Sequence, residues 1–480
     1  MQKKFIINLA LLLFLNLLIK PFWILGIEPV IQEKVGNQDY GLYFALYNFS
    51  FLLNIVLDFG ITNFNNKNIA QNNHLLTKHF SSLFVLKLLL AVLYILATAI
   101  FGFFVDYDYR LMKLLLILGF NQFLISMILY LRSNIAGLHL FVTDSFVSIL
   151  DRLIMIIICI FLVYGRFINE KMDVMWFVYT QTAAYFLTAL ITFFIVIGHA
   201  KTLKFKFNKV FTLMILKKSI PYAILVLLMT FYNRIDAVML ERMLDDGAEQ
   251  AGIYAKAFRL LDASNMIAYL FAGLLLPMFA KMIKHKQRID ELVKLSYSIL
   301  ILPAVIVVGC GWFFSTEIMN AMYHFHIEES AIVFSFLMTC FLAVSTTYIF
   351  GTLLTANGNM KELNIMAASG MILNIVLNLI LIPKYKAAGS AFASMITQFI
   401  TAAIQVVIAK RVFKFKTNYK LIFTLTAFVT GVAFTGYLCT LLNASWIIQI
   451  LIFSGASVLW AFTIQLVSIK SIYNIIKFGE

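Results

Sequence analysis

Ten ionisable side chains lie inside long apolar stretches of this sequence, where each charge needs a partner or a ligand. A charged group in hydrocarbon costs roughly 2.5 kcal/mol or more. Guanidinium groups match phosphate oxygens in bidentate geometry, and an excess of fixed positive charge in a partly hydrated cavity attracts anions. Because six of the ten are cations, the set predicts an anionic ligand that carries phosphate. The cations are Lys20, Lys87, Arg152, Arg234, Lys256 and Arg259, and the carboxylates are Asp58, Asp151, Asp236 and Asp262.

Three of these cations share a predicted depth. With a rise of about 1.5 Å per helical residue, Lys20, Arg234 and Arg259 each fall roughly 10–12 Å below the outer surface. Arg152, Lys87 and Asp58 fall in the inner third of their predicted helices. Since the outer layer holds more positive than negative charge, its cations are predicted to bind the ligand. The alternative is that nearby carboxylates neutralise the cations, or that the cations extend to the membrane surface.

Three carboxylates are predicted to form ion pairs or to couple transport to a cation, namely Asp58, Asp236 and Asp262. Arg259 and Asp262 are three residues apart and share a helix face. Arg234 and Asp236 are two residues apart and point in nearly opposite directions around their helix. These two residues therefore serve different surfaces.

The sequence lacks the motifs of several enzyme classes. It contains no Gly-x4-Gly-Lys-Ser/Thr loop, no Gly-x-Ser-x-Gly and no His-Glu-x-x-His. The four cysteines are far apart and do not have metal-ligand spacing. We therefore expect no catalytic residue, metal site or cofactor, and hence no enzyme. The net charge of +15 is concentrated at the inner ends of apolar helices, which explains it without nucleic-acid binding.

The composition indicates a polytopic membrane protein. Hydrophobic residues make up 62% of the 480 residues, and charged residues only 13%. A hydrocarbon core about 30 Å thick requires roughly 20 apolar residues per helix, and such runs must satisfy their own backbone hydrogen bonds. We predict an all-α polytopic fold with about 14 transmembrane helices. The predicted spans are residues 5–27, 41–62, 80–103, 112–131, 146–164, 174–198, 219–240, 251–280, 295–316, 331–354, 362–382, 388–409, 421–441 and 446–468.

The distribution of lysine and arginine predicts the orientation. If the chain starts in the cytoplasm, 24 of the 38 Lys and Arg residues fall in cytoplasmic segments and 8 on the external side, counting Lys113 at the outer edge of its span. Positively charged loops remain on the cytoplasmic side of a membrane. Both termini are therefore predicted to be cytoplasmic.

A short motif occurs twice and predicts the domain organisation. The pattern Gly-x4-Gly-x-Tyr starts at Gly36 and again at Gly247, 211 residues or six predicted spans later. Two six-helix lobes are common in secondary transporters. We predict an N-terminal lobe in 1–199, a second lobe in 200–411 that begins with an amphipathic linker on the inner face, and two additional helices in 412–480.

The same motif predicts an external gate. Its second glycine and its tyrosine are Gly41 and Tyr43 in the first copy, and Gly252 and Tyr254 in the second. Glycine allows two helix backbones to approach closely. These four residues are predicted to bring the two lobes together on the external side, and the alternative is that the glycines only cap helices.

Several segments resemble the Wzx-type polysaccharide-biosynthesis flippases of the multidrug/oligosaccharidyl-lipid/polysaccharide exporter superfamily. The segments are Val35–Tyr43, Asp58–Gly60, Ser219–Pro221, Arg234–Asp236, Gly252–Tyr254 and the pair Arg259-Leu260. The resemblance implies six, six and two helices, and alternating-access transport of an undecaprenyl-pyrophosphate-linked oligosaccharide of O-antigen, capsule or exopolysaccharide. It also implies that cationic residues of the cavity engage the pyrophosphate or acidic sugars. This role falls on Arg234 and Arg259, with Lys20 and Arg152 as weaker candidates.

The resemblance implies a multi-pass protein of the cytoplasmic membrane, with membrane lipids, a glycan polymerase and glycosyltransferases as partners. A lipid II flippase and a cation-coupled multidrug exporter are alternatives within the superfamily. A drug exporter requires a carboxylate at mid-depth in the first lobe, and the predicted first span has none. A membrane-embedded glycan polymerase would require a large external loop, which the sequence also lacks.

Overall fold

The computed structural model describes residues 11–466, except 12–13, 17, 63–64, 66–68, 70–74, 139, 165–171, 201–208 and 285. The described residues form fourteen α-helices and no β-strand. The helices are α1 Glu28–Val35, α2 Asn37–Leu52, α3 Leu75–Phe104, α4 Tyr109–Gly137, α5 Phe141–Tyr164, α6 Val174–Ala200, α7 Lys209–Met243, α8 Gly247–Lys284, α9 Asp290–Phe313, α10 Ser315–Met322, α11 Ile327–Asn357, α12 Met360–Phe413, α13 Tyr419–Thr440 and α14 Trp446–Thr463.

Eleven segments of the described chain are long and apolar enough to cross a membrane. Large hydrophobic side chains cover their outer faces, as Phe103 on α3 and Leu459 on α14 illustrate with exposures of 77% and 68%. Exposure of so much apolar surface is unfavourable in water but not in the hydrocarbon of a membrane. The protein is therefore a multi-pass membrane protein, as predicted.

The first span ends later in the chain than predicted, at Val35 rather than at residue 27. Within the described residues it covers Phe14–Val35, and it contains a π-helical turn, Phe22–Ile27, directly after Pro21. Proline removes one helical hydrogen bond and clashes with the preceding turn, which accounts for the local change of helix type. The predicted residues 5–10 lie outside the described part of the chain. Because the helix continues to Val35, the first span does contain carboxylates, Glu28 and Glu33, which corrects the prediction.

The predicted span 41–62 is interrupted. Helix α2 ends at Leu52, and a short 3-10 turn, Asn54–Leu57, leads into a left-handed Phe59-Gly60 pair with φ of 44° and 77°. A left-handed residue ends a helix because it reverses the backbone twist. At 16 residues, α2 alone is shorter than the roughly 20 residues that a bilayer requires.

Helix α12 is a helical hairpin. The backbone of Lys386 has φ 50° and ψ −132°, and the Ser390 hydroxyl donates to Asn378 Oδ1 at 2.8 Å. In a straight helix, residues twelve positions apart would lie roughly 18 Å apart. The chain therefore reverses direction near Lys386, and its two arms correspond to the predicted spans 362–382 and 388–409.

The chain forms two compact units, Met1–Ala255 and Lys256–Glu480. In the first unit, the rings of Phe80 and Tyr130 stack at 6.1 Å, and the Tyr130 hydroxyl donates to the Phe80 carbonyl at 3.1 Å. In the second unit, α14 packs on α9 and α13 through the fully buried Phe453. The division into lobes at residues 199 and 411 remains a prediction.

Candidate functional site

The Asp58 carboxylate lies at the break that follows α2. Its Oδ1 atom accepts a hydrogen bond from the Lys87 ammonium at 2.5 Å, and the Thr62 hydroxyl also donates to it. Lys87 Nζ further donates to the Leu57 carbonyl at 3.0 Å and to the Ser126 hydroxyl at 2.9 Å. Lys87 is 2% exposed and uses all three donors within the protein. The structure therefore places Asp58 in an ion pair that joins the interrupted helix to α3 and α4.

Removing one partner of this pair should destabilise the protein more than removing both. We expect Asp58→Asn to lower the free energy of unfolding by about 3–5 kcal/mol, because it leaves the Lys87 charge buried without a counter-ion. Adding Lys87→Met should restore most of that loss. Thermal unfolding of the three variants in detergent checks this, and a double variant no more stable than Asp58→Asn contradicts it.

The predicted gate residues lie where α2 meets the start of α8. A Cβ atom on Gly41 would overlap the Ala248 carbonyl oxygen and lie 2.7 Å from the Gly252 amide nitrogen. A Cβ atom on Gly252 would overlap the Asn37 carbonyl oxygen. The two helices thus meet backbone to backbone, at a distance that only glycine permits.

The two tyrosines of the motif are buried beside this contact and bind different groups. The Tyr43 hydroxyl accepts a hydrogen bond from Gln181 Nε2 at 2.8 Å, and the Tyr254 hydroxyl donates to Asp236 Oδ2 at 2.8 Å. Both tyrosines are 1% exposed. Sequence reasoning missed Gln32, whose Nε2 atom donates to the Gly252 carbonyl at 3.1 Å. A single glutamine carries no recognisable spacing.

Arg234 lies beside the C-terminal half of α2. Its Nη1 atom donates to Asn48 Oδ1 at 3.4 Å, and its guanidinium carbon lies 5.1 Å from the centre of the Phe51 ring. The guanidinium is half-buried. Asp236, in contrast, is 1% exposed and faces Tyr254. The side chains of Arg234 and Asp236 therefore face different surroundings, as their spacing predicts.

Lys20 and Arg152 form a second cationic group in the same unit. Arg152 Nε lies 3.6 Å from Asp151 Oδ2, and its guanidinium carbon is 5.9 Å from the centre of the Trp23 ring. Lys20 lies within electrostatic reach of both Arg152 and Asp151. Tyr47 and Tyr185 also act electrostatically on Arg152. Both cations are half-buried and lie near Asp151, and Glu28 also acts electrostatically on Arg152.

The remaining predicted residues, Arg259 and Asp262, belong to the second unit. They are half-buried and lie one turn apart on α8. Lys256, on the same helix, is fully buried; its ammonium donates to the Phe325 carbonyl at 2.6 Å and lies 5.0 Å from the Tyr323 ring centre. Lys256 thus fixes the loop that precedes α11.

The chain matches the polysaccharide biosynthesis protein family over residues 7–283, more than half of its length. It belongs to that family. All eleven residues predicted for the site and the gate lie inside the matched segment, which ends shortly before α9. No curated protein matches the chain.

Solved structures show that this family member has the fold of the MOP superfamily. The inward closed conformation of the lipid II flippase MurJ has a TM-score of 0.73 at 16% identity, with 98% of this chain and 99% of that chain covered. The inward-facing conformation of a multidrug resistance MATE family transporter has a TM-score of 0.62 at 12% identity, covering 84% of this chain and 98% of that chain. A MOP superfamily transporter from Pyrococcus furiosus, described as having a binding pocket of reverse polarity, has a TM-score of 0.55 at 12% identity, covering 85% and 94%.

Proposed function

We propose that the protein is a flippase that moves an undecaprenyl-pyrophosphate-linked oligosaccharide from the cytoplasmic to the outer leaflet by alternating access. The observation that carries the proposal is the set of half-buried cations Lys20, Arg152 and Arg234 in a member of the polysaccharide biosynthesis protein family. The fold it shares with flippases and transporters supports the same conclusion. The carried glycan would be a unit of O-antigen or other lipopolysaccharide, capsule or exopolysaccharide.

The chemistry of the cations suits a pyrophosphate better than a cationic drug. A guanidinium group offers several N–H donors in a plane and matches phosphate oxygens. At partial burial, water screens the attraction less than it would at the surface, so each ion contact is stronger. Arg259 supplies a further half-buried guanidinium on α8. Asp58 and Asp236 are held by Lys87 and Tyr254, and we assign them structural roles.

Two other functions remain as alternatives. A lipid II flippase carries a ligand of nearly the same chemistry, and one of the similar structures is such a protein. A cation-coupled drug exporter needs a carboxylate available to the coupling ion. The first span holds two carboxylates, Glu28 and Glu33. Glu28 is 4% exposed and accepts a hydrogen bond from the Tyr40 hydroxyl at 2.8 Å. The internal bond of Glu28 favours the lipid-linked glycan over the drug.

The proposed location is the cytoplasmic membrane with both termini in the cytoplasm, because the cytoplasmic segments then hold most of the lysine and arginine. Reporter fusions in the loop at residues 244–246 test this orientation, since that loop must then be external. A glycan polymerase and glycosyltransferases are the expected partners, and their genes should lie beside the gene of the flippase.

Deletion of the gene tests the function. We expect cells without the protein to lose their surface glycan and to accumulate the undecaprenyl-linked oligosaccharide on the cytoplasmic side, because synthesis continues while transport stops. Mass spectrometry of extracted lipids measures the accumulation, and expression of the wild-type chain should reverse it. Unchanged surface glycan together with increased drug sensitivity would instead support the drug exporter, and loss of peptidoglycan synthesis would support lipid II.

A further inference from the structure

Four aromatic residues form a row along one face of α2. Tyr40, Tyr43, Tyr47 and Phe51 follow one another at spacings of three, four and four residues, which places them on the same side of a helix. Successive ring centres are 5.3, 6.1 and 6.3 Å apart. We call these four residues the aromatic row.

The aromatic row is closed at its N-terminal end and open at its C-terminal end. Tyr40 is fully buried and Tyr43 is 1% exposed, and their hydroxyls bind Glu28 and Gln181. Tyr47 and Phe51 are only half-buried. The first two rings therefore hold α2 in place, while the last two present ring surface that a ligand can contact.

Two guanidinium groups lie near the open end. Arg234 lies over the Phe51 ring, with its guanidinium carbon 5.1 Å from the ring centre. Arg152, on α5, is within electrostatic reach of Tyr47 and lies near the Trp23 ring. The open rings and the two guanidinium groups thus belong to the same compact unit.

We propose that Tyr47 and Phe51 form a sugar-stacking subsite, in which the rings pack against the pyranose units of the carried oligosaccharide. A pyranose presents an apolar C–H face and a rim of hydroxyls. The negative face of an aromatic ring attracts the C–H groups, and nearby guanidinium groups donate hydrogen bonds to the hydroxyls or to acidic sugars. A polyprenyl chain would also pack on the rings, but it offers a guanidinium group no hydrogen-bond acceptor, so the sugar is the better fit. The inference rests on the proposed function and assigns residues to the glycan rather than to the pyrophosphate.

Binding to the full-length protein in nanodiscs, with two lipid probes, tests the subsite. The probes are undecaprenyl pyrophosphate and the same lipid bearing N-acetylglucosamine. We expect the wild-type protein to bind the sugar-bearing lipid more tightly than the bare lipid, by roughly tenfold for a well-stacked ring. In the double variant Tyr47→Leu/Phe51→Leu that difference should disappear, while the affinity for the bare lipid should stay within about twofold of the wild-type value.

Matched variants distinguish the loss of an aromatic ring from a general loss of protein stability. Tyr47→Phe keeps the ring and should retain the preference for the sugar-bearing lipid. Phe103→Leu removes a lipid-facing ring that is 77% exposed and should also retain it. If the double variant binds neither lipid, the single variants Tyr47→Leu and Phe51→Leu are tested instead. For each of them, the affinity for the sugar-bearing lipid is compared with the affinity for the bare lipid.

Three outcomes would contradict the proposed subsite. The first is a preference for the sugar-bearing lipid that persists when both rings are lost, and the second is a wild-type protein that binds the two lipids equally. The third is an equal loss of affinity for both lipids in the variants, which would indicate that the rings contact the polyprenyl chain. Failure of the proposed function itself would look different, because the wild-type protein would then bind neither lipid.

Discussion

Replacing Gly41 by alanine should abolish surface-glycan export, whereas replacing Gly198 by alanine should leave export unchanged. The Cβ atom of an alanine at position 41 would overlap the carbonyl oxygen of Ala248, and this oxygen belongs to a helix backbone that cannot rotate away. The two helices must separate to accept the methyl group. At Gly198, on α6, a Cβ atom would meet no atom within 4 Å. The two substitutions are chemically identical and differ only in the contact that they disturb.

The size of the effect distinguishes a gate from a helix cap. Overpacking of a tight contact costs about 1–3 kcal/mol. The population of the closed arrangement of α2 and α8 should therefore fall by roughly tenfold or more. Gly252→Ala, which would overlap the Asn37 carbonyl, should have a similar effect. Export is measured from the surface glycan per molecule of flippase, and stability from thermal unfolding in detergent. Normal export by both the Gly41 and Gly252 variants would show that this contact does not gate transport.

The second large effect is expected at Arg234. Arg234→Gln removes the charge but keeps much of the side-chain volume, and we expect export to fall by a factor of about ten to a hundred. Hydrogen bonds to charged groups contribute about 1.5–3 kcal/mol, which corresponds to that range. Arg234→Lys should recover only part of the activity, because an ammonium cannot bind two phosphate oxygens in one plane. Surface glycan and flippase abundance are measured in the same cells.

A matched arginine on the surface provides the control for this experiment. Arg110 is 62% exposed and lies 3.5 Å from Asp39, so Arg110→Gln should affect neither export nor abundance. If the Arg234→Gln protein exports glycan at the wild-type level, Arg234 is not part of the anion site. Disappearance of that variant from the membrane would show instead that the contacts with Asn48 and Phe51 are structural.

The sequence was sufficient to predict the helical membrane fold because the pattern is long and repetitive. Each apolar run must form a helix in lipid, whatever its neighbours are. The interruption after Leu52, which includes the left-handed Phe59 and Gly60, was not predicted. Hydrophobicity averaged over many residues carries no information about the backbone angles of single residues. The same limit explains why the reversal at Lys386 appears in the sequence only as a gap between two apolar runs.

The candidate site could be predicted only in part. The spacing of the repeated motif pointed to Gly41 and Gly252, and the structure places these two residues in contact. The partner of Asp58 could not be read from the sequence, because Lys87 lies 29 residues away on another helix. The aromatic row had a usable signal in its helical spacing. It was overlooked because aromatic residues at such intervals usually indicate core packing, and burial alone separates the open rings from the closed ones.

Translocation by the purified protein in liposomes tests the central claim most directly. The liposomes would contain undecaprenyl-pyrophosphate-linked N-acetylglucosamine with a fluorescent label on the sugar, and a membrane-impermeant reductant would quench the label in the outer leaflet. Our account predicts that the wild-type protein brings inner-leaflet lipid to the quencher, whereas liposomes with Arg234→Gln protein behave like protein-free liposomes. Quenching confined to the outer leaflet with correctly folded wild-type protein, or equal rates for the wild-type and Arg234→Gln proteins, would contradict it.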